Sequence, residues 1–172
     1  MVDPRFTGFH KVEVDLWQDH DPTAAAADAN VLAGFVDTLV AQFPHDALAA
    51  AELPVRTHEI LEDGLRDELS GDDDYGSGTD MASVEADVDG TRVLLALLAP
   101  LLAPRAPDLA ARATAQLDRL DTALAATDSD GHWVAVADVP LAQREQVDAA
   151  IGDALEILAP VPDLLPVEGP NP

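Results

Sequence analysis

A histidine and a glutamate near the start of the chain have a spacing that suits metal binding. His10 and Glu13 stand three residues apart in the segment GFHKVEVDLW. On a helix this spacing places both side chains on one face, so an imidazole nitrogen and a carboxylate oxygen can reach the same ion. Such a mixed ligand set suits iron, zinc or copper, and the reversed spacing Glu-x-x-His builds metal centres in helical bundles. Because the same spacing also occurs in ordinary surface pairs, it predicts a metal site only together with further evidence.

A second group of candidate ligands lies in the segment THEILEDGLRDELSG, residues 57–71. On a helix, Glu62 lies one turn from both His58 and Glu59, so Glu59 and Glu62 are candidates to close a metal site across a helix pair. The alternative is a solvated acidic face in which Glu62 pairs with Arg66. His58 and Glu59 begin like the zinc-protease motif H-E-x-x-H, but Glu62 stands where the second histidine is required.

The sequence lacks the motifs of the common enzyme classes. It has no cysteine, which excludes disulfides, thiolate metal ligands and a cysteine nucleophile. It also lacks the nucleophile turn G-x-S-x-G, a phosphate loop and the dinucleotide-binding G-x-G-x-x-G. We therefore expect a protein without enzymatic activity. Two alternatives stay open: a metal-dependent hydrolase with Glu59 or Glu62 as its base, and a metal-free helical interaction module.

The charge of the chain is strongly negative. Its 33 acidic residues stand against 9 basic ones, for a net charge of -24. Such a surface repels phosphate backbones, which disfavours a nucleic-acid partner, and it attracts cations.

No apolar run approaches the ~20 residues that span a bilayer. The longest covers residues 93–104, and the first 13 residues lack the apolar core of a signal peptide.

The elements that must position these candidates are helices. Alanine and leucine dominate, and apolar residues recur at helical spacing between clusters of Pro, Gly and Asp. The pattern predicts an all-α, antiparallel bundle of five to six helices over residues 1–160, followed by an extended Pro-rich tail over residues 161–172. The predicted helices cover residues 5–17, 23–43, 53–69, 79–99 (or to 103 with a kink at the proline), 108–126 and 141–158. In the second helix, the apolar residues over 32–43 recur at helical spacing and share one face.

Four segments in this order carry a resemblance to a known family. The first is G-x-H-x-x-E, with Gly8, His10 and Glu13, and the second is HEILEDGLRDELSG. The third and fourth are DYGSGTDMASVEADVDGTR and the closing PLAQREQVDAAIGDALEILAPVPDLL. Together they resemble the imelysin-like family, whose members include bacterial iron-uptake components of the EfeO and EfeM type. The family is nominally classed with peptidases.

The resemblance implies a metal-binding helical protein of the periplasm or cell surface that passes iron to a permease of the cell membrane. It implies His10 and Glu13 as ligands, with Glu59 and Glu62 at matching acidic positions. Residues 75, 80 and 87 match positions to which no role is assigned. Because family members have a further segment before this signature, we expect the chain to correspond to the C-terminal part of the family domain. Apolar helix faces left uncovered in such a part would favour a homo-oligomer.

Overall fold

The computed structural model describes residues 6–45, 49–128 and 131–165. The chain divides into two compact units. One comprises Met1–Leu48 with Asp74–Gly78, and the other comprises Ala49–Asp73 with Thr79–Pro172. Within the described residues the regular structure is helical and includes no β-strand, which confirms the predicted all-α bundle. The single bundle over residues 1–160 stays a prediction.

The first unit holds two helices joined by a tight connection. Helix α1 is Phe9–Glu13, and it continues into one turn of π-helix, Val14–Gln18. The π turn interrupts the continuous α-helix predicted over residues 5–17, because the Asp19 N–H donates to the Val14 carbonyl five residues back. Helix α2, Pro22–Gln42, begins at Asp21, whose carboxylate accepts hydrogen bonds from the first backbone N–H groups of the helix.

The apolar face of α2, which the spacing of residues 32–43 predicts, is exposed. In this helix only Ala25 is buried. The large exposed side chains of this face are Val31, Phe35, Val36, Leu39, Val40 and Phe43. Spacing specifies that these residues share a face, but a partner surface is needed to cover that face, and local sequence does not supply one.

The stretch Pro22–His45 corrects the expectation that no apolar stretch of the chain approaches the length that spans a bilayer. Among the described residues, this stretch is a helix that is long enough and apolar enough to cross a membrane, judged by length and composition alone. Its mean hydropathy is 1.3. The stretch contains no long unbroken run of large apolar residues, and its hydropathy comes from many alanines with few charges. A single helix of this kind is weak evidence for a membrane span, since helices of soluble proteins reach the same composition.

The second unit is a bundle of four long helices with a well-packed core. Helices α3, Leu53–Arg66, and α4, Asp80–Leu102, pack together, as do α5, Leu109–Ala125, and α6, Leu141–Leu158. Helix α4 also packs on α5, and α3 on α6, so the four helices close a ring around the core. The largest fully buried side chains are Leu61, Met81, Leu102, Leu117, Leu120, Leu124, Ile151 and Leu158. Each contributes roughly 1.5–3 kcal/mol of hydrophobic burial.

One detail of this unit matches one of two predicted alternatives, and another differs from the prediction. Pro100 lies inside α4, which runs to Leu102, so the longer of the two predicted ends is the observed one. The chain after α6 forms a short helix α7, Val161–Leu164, so the extended conformation predicted there is wrong. Val161 is fully buried against the core, and this burial draws the segment into a helical turn. The rest of the predicted tail, residues 166–172, lies outside the described residues.

Candidate metal-binding site

Helix α1 brings His10 and Glu13 together as their spacing predicts. The His10 Nδ1 atom lies 3.0 Å from the Glu13 Oε2 atom, one turn further along the helix. The His10 side chain is 45% exposed and that of Glu13 is 21% exposed, so the pair is accessible to an ion from solvent. The two side chains can thus present a nitrogen and an oxygen to one ion. That they ligate a metal stays a prediction.

A lysine between two aspartates ties this helix to α2. Lys11 forms ion pairs with Asp15, four residues on, and with Asp28 of α2, whose Oδ2 lies 3.1 Å from the Lys11 Nζ. The Asp15 side chain is only 2% exposed, so its charge needs this partner. The hydrogen bond to Asp15 raises the pKa of Lys11, and the hydrogen bond from Lys11 lowers the pKa of Asp28. These contacts hold the backbone that carries His10 and Glu13.

An aromatic residue far away in the sequence packs against His10. The ring of Tyr75 has its centroid 5.1 Å from that of the His10 imidazole, with the two planes at 50°. On another side, Phe6 lies with its ring centroid 6.1 Å from that of Tyr75. The Gln18 side chain donates a hydrogen bond to the Tyr75 carbonyl, with 3.3 Å between the atoms. Tyr75 is therefore placed at the candidate site by contacts from α1 and the π turn.

The loop that carries Tyr75 has a conformation specific to its sequence. The Asp74 carboxylate accepts hydrogen bonds from the backbone N–H groups of Gly76, Ser77 and Gly78. Gly76 has a φ of 125°, and a Cβ added there would lie 2.6 Å from the Cβ of Trp17. Only glycine fits this position without displacing its surroundings. The close approach to Trp17 brings the loop against the π turn.

The two candidate glutamates of α3 lie in the second unit, where each already has a cationic or imidazole partner. The Glu59 carboxylate lies 2.6 Å from an Arg56 guanidinium nitrogen, and the Glu62 carboxylate lies 3.3 Å from the His58 Nδ1. Arg66 contacts Asp63 and Asp67 and not Glu62, with which the alternative of a solvated acidic face had paired it. Across the described ranges, no three His, Cys, Asp or Glu side chains are grouped closely enough to hold a metal ion. The role of Glu59 and Glu62 as ligands stays a prediction.

The sequence indicated no role for Asp87, but the structure gives its carboxyl group a raised pKa. Burial is the main cause that raises its pKa to about 6, and the negative charges of Glu68 and Asp63 raise it further. Burial also raises the pKa of Glu68. Gly64 of α3 lets Asp87 approach, since a Cβ at that position would lie 3.2 Å from the Asp87 Oδ2. A sequence signal existed, because Asp87 stands between Val84 and Val88 on the buried side of α4.

In the described residues, a helical fold carries a His-x-x-Glu pair on one helical turn, with the imidazole and the carboxylate on the same face. Comparison with known families matches residues 52–161 to imelysin, a family labelled peptidase M75. The chain belongs to the imelysin family. The matched region includes Glu59, Glu62, Tyr75 and Asp87, and it begins after His10.

Curated relatives of the chain carry the name iron uptake system component EfeO. Those from Escherichia coli K12, Escherichia coli O157:H7 and Shigella flexneri are each 30% identical to it over 124 residues. The matched region is 72% of this chain and 33% of each relative. The chain therefore spans about a third of the length of the curated relatives it matches.

Proposed function

We propose that this protein is the metal-binding part of an iron-uptake component, with iron as its cargo and His10 and Glu13 as its first ligands. The observation that carries the proposal is the 3.0 Å approach of the His10 imidazole to the Glu13 carboxylate. The similarity to EfeO of Escherichia coli supports iron as the cargo. A bound ion would replace the contact between the two side chains, while their backbone stays held by the pairing of Lys11 with Asp28.

Calorimetric titration of the full chain tests this assignment. Ferric citrate, ferrous ion under anaerobic conditions, zinc and cupric ion are the probes, applied to wild type and His10→Ala. We expect the substitution to lower the affinity for the bound ion at least tenfold, which is about 1.4 kcal/mol. His45→Ala, a histidine substitution elsewhere in the same unit, is the matched control and should leave the affinity unchanged. Equal affinities of wild type and His10→Ala would show that His10 is not a ligand of the bound ion.

We also propose Glu59 and Glu62 of α3 as metal ligands. Their support is the shared face of α3, and each must exchange its partner, Arg56 or His58, for the ion. Glu59→Gln and Glu62→Gln keep the shape of each side chain and remove its charge. If the glutamates are ligands, both substitutions weaken binding in the same titration. Asp63→Asn, a charge removal on the same helix, should leave binding unchanged.

We propose that the protein works in the periplasm or at the cell surface and passes its iron to a permease in the cell membrane. The support is the resemblance to iron-uptake proteins and the similarity to EfeO. Uptake of radioactive iron by bacteria that lack their own EfeO tests the proposal. Expression of a relative whose matching segment is replaced by this chain should restore uptake, and the same exchange with His10→Ala should not.

We propose that the exposed face of α2 is covered by a second copy of the chain. Its six large exposed side chains leave roughly 500 Å² of apolar surface per copy, so a pair buries on the order of 1,000 Å², near the lower limit of a specific interface. A bilayer suits this face less well, because Asp28 and Asp37 lie within the stretch and carboxylates in a bilayer are costly. Since two copies repel each other through their charge of -24, association should strengthen at higher salt.

The family label favours a second candidate, a metal-dependent peptidase. Such an enzyme needs a metal with an open coordination position and a base beside it. We expect no hydrolysis of a panel of peptides in the presence of zinc. Turnover that is lost in His10→Ala would favour the peptidase over the iron carrier.

A further inference from the structure

The pair of His10 and Glu13 provides two donors, whereas protein sites for transition metals use three or more. Among the residues that the structure describes, no third His, Cys, Asp or Glu completes the pair. Tyr75, which those residue types do not include, lies directly against His10 with 5.1 Å between the ring centroids. A phenol loses its proton when it binds a metal ion and then supplies an anionic oxygen.

The separation of the two rings is compatible with a shared ion. With ordinary bond lengths, a phenol oxygen lies roughly 3 Å from the centre of its ring, and an imidazole nitrogen lies about 1 Å from its own. Two ligands on one ion, each about 2.0–2.2 Å from it, are commonly about 3 Å apart. Coordination of one ion by both residues therefore requires the His10 and Tyr75 side chains to rotate until their donor atoms lie about 3 Å apart.

The loop around Tyr75 limits how far this residue can move. Its backbone is held by Gln18, by the turn around Asp74, and by the approach of Gly76 to Trp17. A donor held in place loses less conformational entropy on binding than one on a free loop. The contact between Tyr75 and His10 is therefore supported by a loop whose backbone is held in place by several interactions.

We propose that the Tyr75 phenolate is a third ligand of the His10–Glu13 site and that it makes the site selective for ferric ion. This inference rests on the proposed function of the site. A neutral imidazole with one carboxylate and one phenolate presents two negative charges, which complement a trivalent cation better than a divalent one. Hard, anionic oxygen donors favour ferric ion, as the tyrosine ligand of catalase haem iron illustrates. Binding forms an iron–oxygen bond and releases the phenol proton to solvent, and no electron is transferred.

The sequence offers a specific spectroscopic test. Tyr75 is the single tyrosine of the chain, so a visible absorption band from phenolate-to-iron charge transfer can come from no other residue of the protein. Ferric citrate is added to the full chain, to Tyr75→Phe and to the control His45→Ala, and visible spectra and affinities are measured. Tyr75→Phe keeps the aromatic contact with His10 and removes only the oxygen.

We expect the band in wild type and His45→Ala and its loss in Tyr75→Phe, together with at least a tenfold loss of ferric affinity. Zinc affinity should fall less than ferric affinity, because the charge of the phenolate matters less for a divalent ion. Far-ultraviolet circular dichroism and thermal melting without metal report whether Tyr75→Phe folds as wild type does. If that variant is unfolded, the spectrum of wild type still decides the question.

The outcomes separate this inference from the proposed function. Ferric binding that depends on His10 but shows no visible band would overturn the role of Tyr75 and leave the proposed function in place. Retention of the band and affinity in Tyr75→Phe would do the same. If wild type binds none of the ions, both the proposed function and the role of Tyr75 are wrong.

Discussion

Replacement of Asp87 by asparagine should stabilise the folded protein, and more strongly at pH 8 than at pH 4.5. Burial is the main cause that raises the pKa of this carboxyl to about 6 from its usual 3.8, and Glu68 and Asp63 add like charge. The difference corresponds to at most about 3 kcal/mol of destabilisation when the group is ionised. Because Asp87 keeps partial contact with solvent, which screens its charge, we expect about 1 kcal/mol.

The direction in which stability changes with pH depends on whether Asp87 binds its proton more tightly in the folded or in the unfolded state. Asp87 holds its proton more tightly in the folded protein than in the unfolded chain. Below about pH 4 both states are largely protonated, so the group has little effect on stability. Between about pH 4 and pH 6 the unfolded chain ionises first, and the stability contributed by Asp87 falls as the pH rises. Above pH 6 the full cost is present, and asparagine removes it.

Urea unfolding followed by circular dichroism measures the effect. Wild type, Asp87→Asn and Asp89→Asn are compared at pH 4.5 and pH 8, with Asp89 as an exposed control on the same helix. A gain of about 1 kcal/mol corresponds to a rise in melting temperature of roughly 2–4 °C for a chain of this size. An equal gain in stability of Asp87→Asn at both pH values would show that ionisation of Asp87 does not destabilise the folded protein. A loss of stability at pH 8 would show that the folded protein compensates the charge of Asp87.

Three further predictions concern the loop, the α2 face and the core. Gly76→Ala should lower the melting temperature and weaken ferric binding, because its Cβ meets Trp17 and displaces Tyr75. Gly131→Ala shares the positive φ but meets open space, so metal binding that falls equally in both variants would contradict this explanation. Leu39→Glu should shift the protein from dimer to monomer in sedimentation at high salt, with Thr38→Glu as the control of equal charge; the prediction fails if both variants sediment alike. Leu120→Ala should cost roughly 2–5 kcal/mol in urea unfolding because its side chain is fully buried, and a cost below 1 kcal/mol would show that the core collapses around the cavity.

Local periodicity was sufficient to predict the helices of the second unit and much of its core. Leu117, Leu120 and Leu124 recur at helical spacing on α5, and all three are buried as predicted. The approach of His10 to Glu13 was predictable for the same reason, because residues three apart on a helix are neighbours wherever the helix lies. The π turn after Glu13 was not predicted. The pattern of apolar residues does not show whether a backbone N–H bonds to the carbonyl four residues back, as in an α-helix, or five residues back, as in a π-helix.

The sequence by itself therefore determined the helical class, the faces of the helices and the pairing of His10 with Glu13, because these depend on neighbours within one or two helical turns. Only the tertiary structure decided that Tyr75 lies against His10, 65 positions away along the chain, and that Asp87 is half-buried beside Gly64. It also decided that the apolar face of α2 is exposed. Burial and long-range contact depend on which surfaces meet after folding, and hydrophobic burial has no direction that a local pattern could encode.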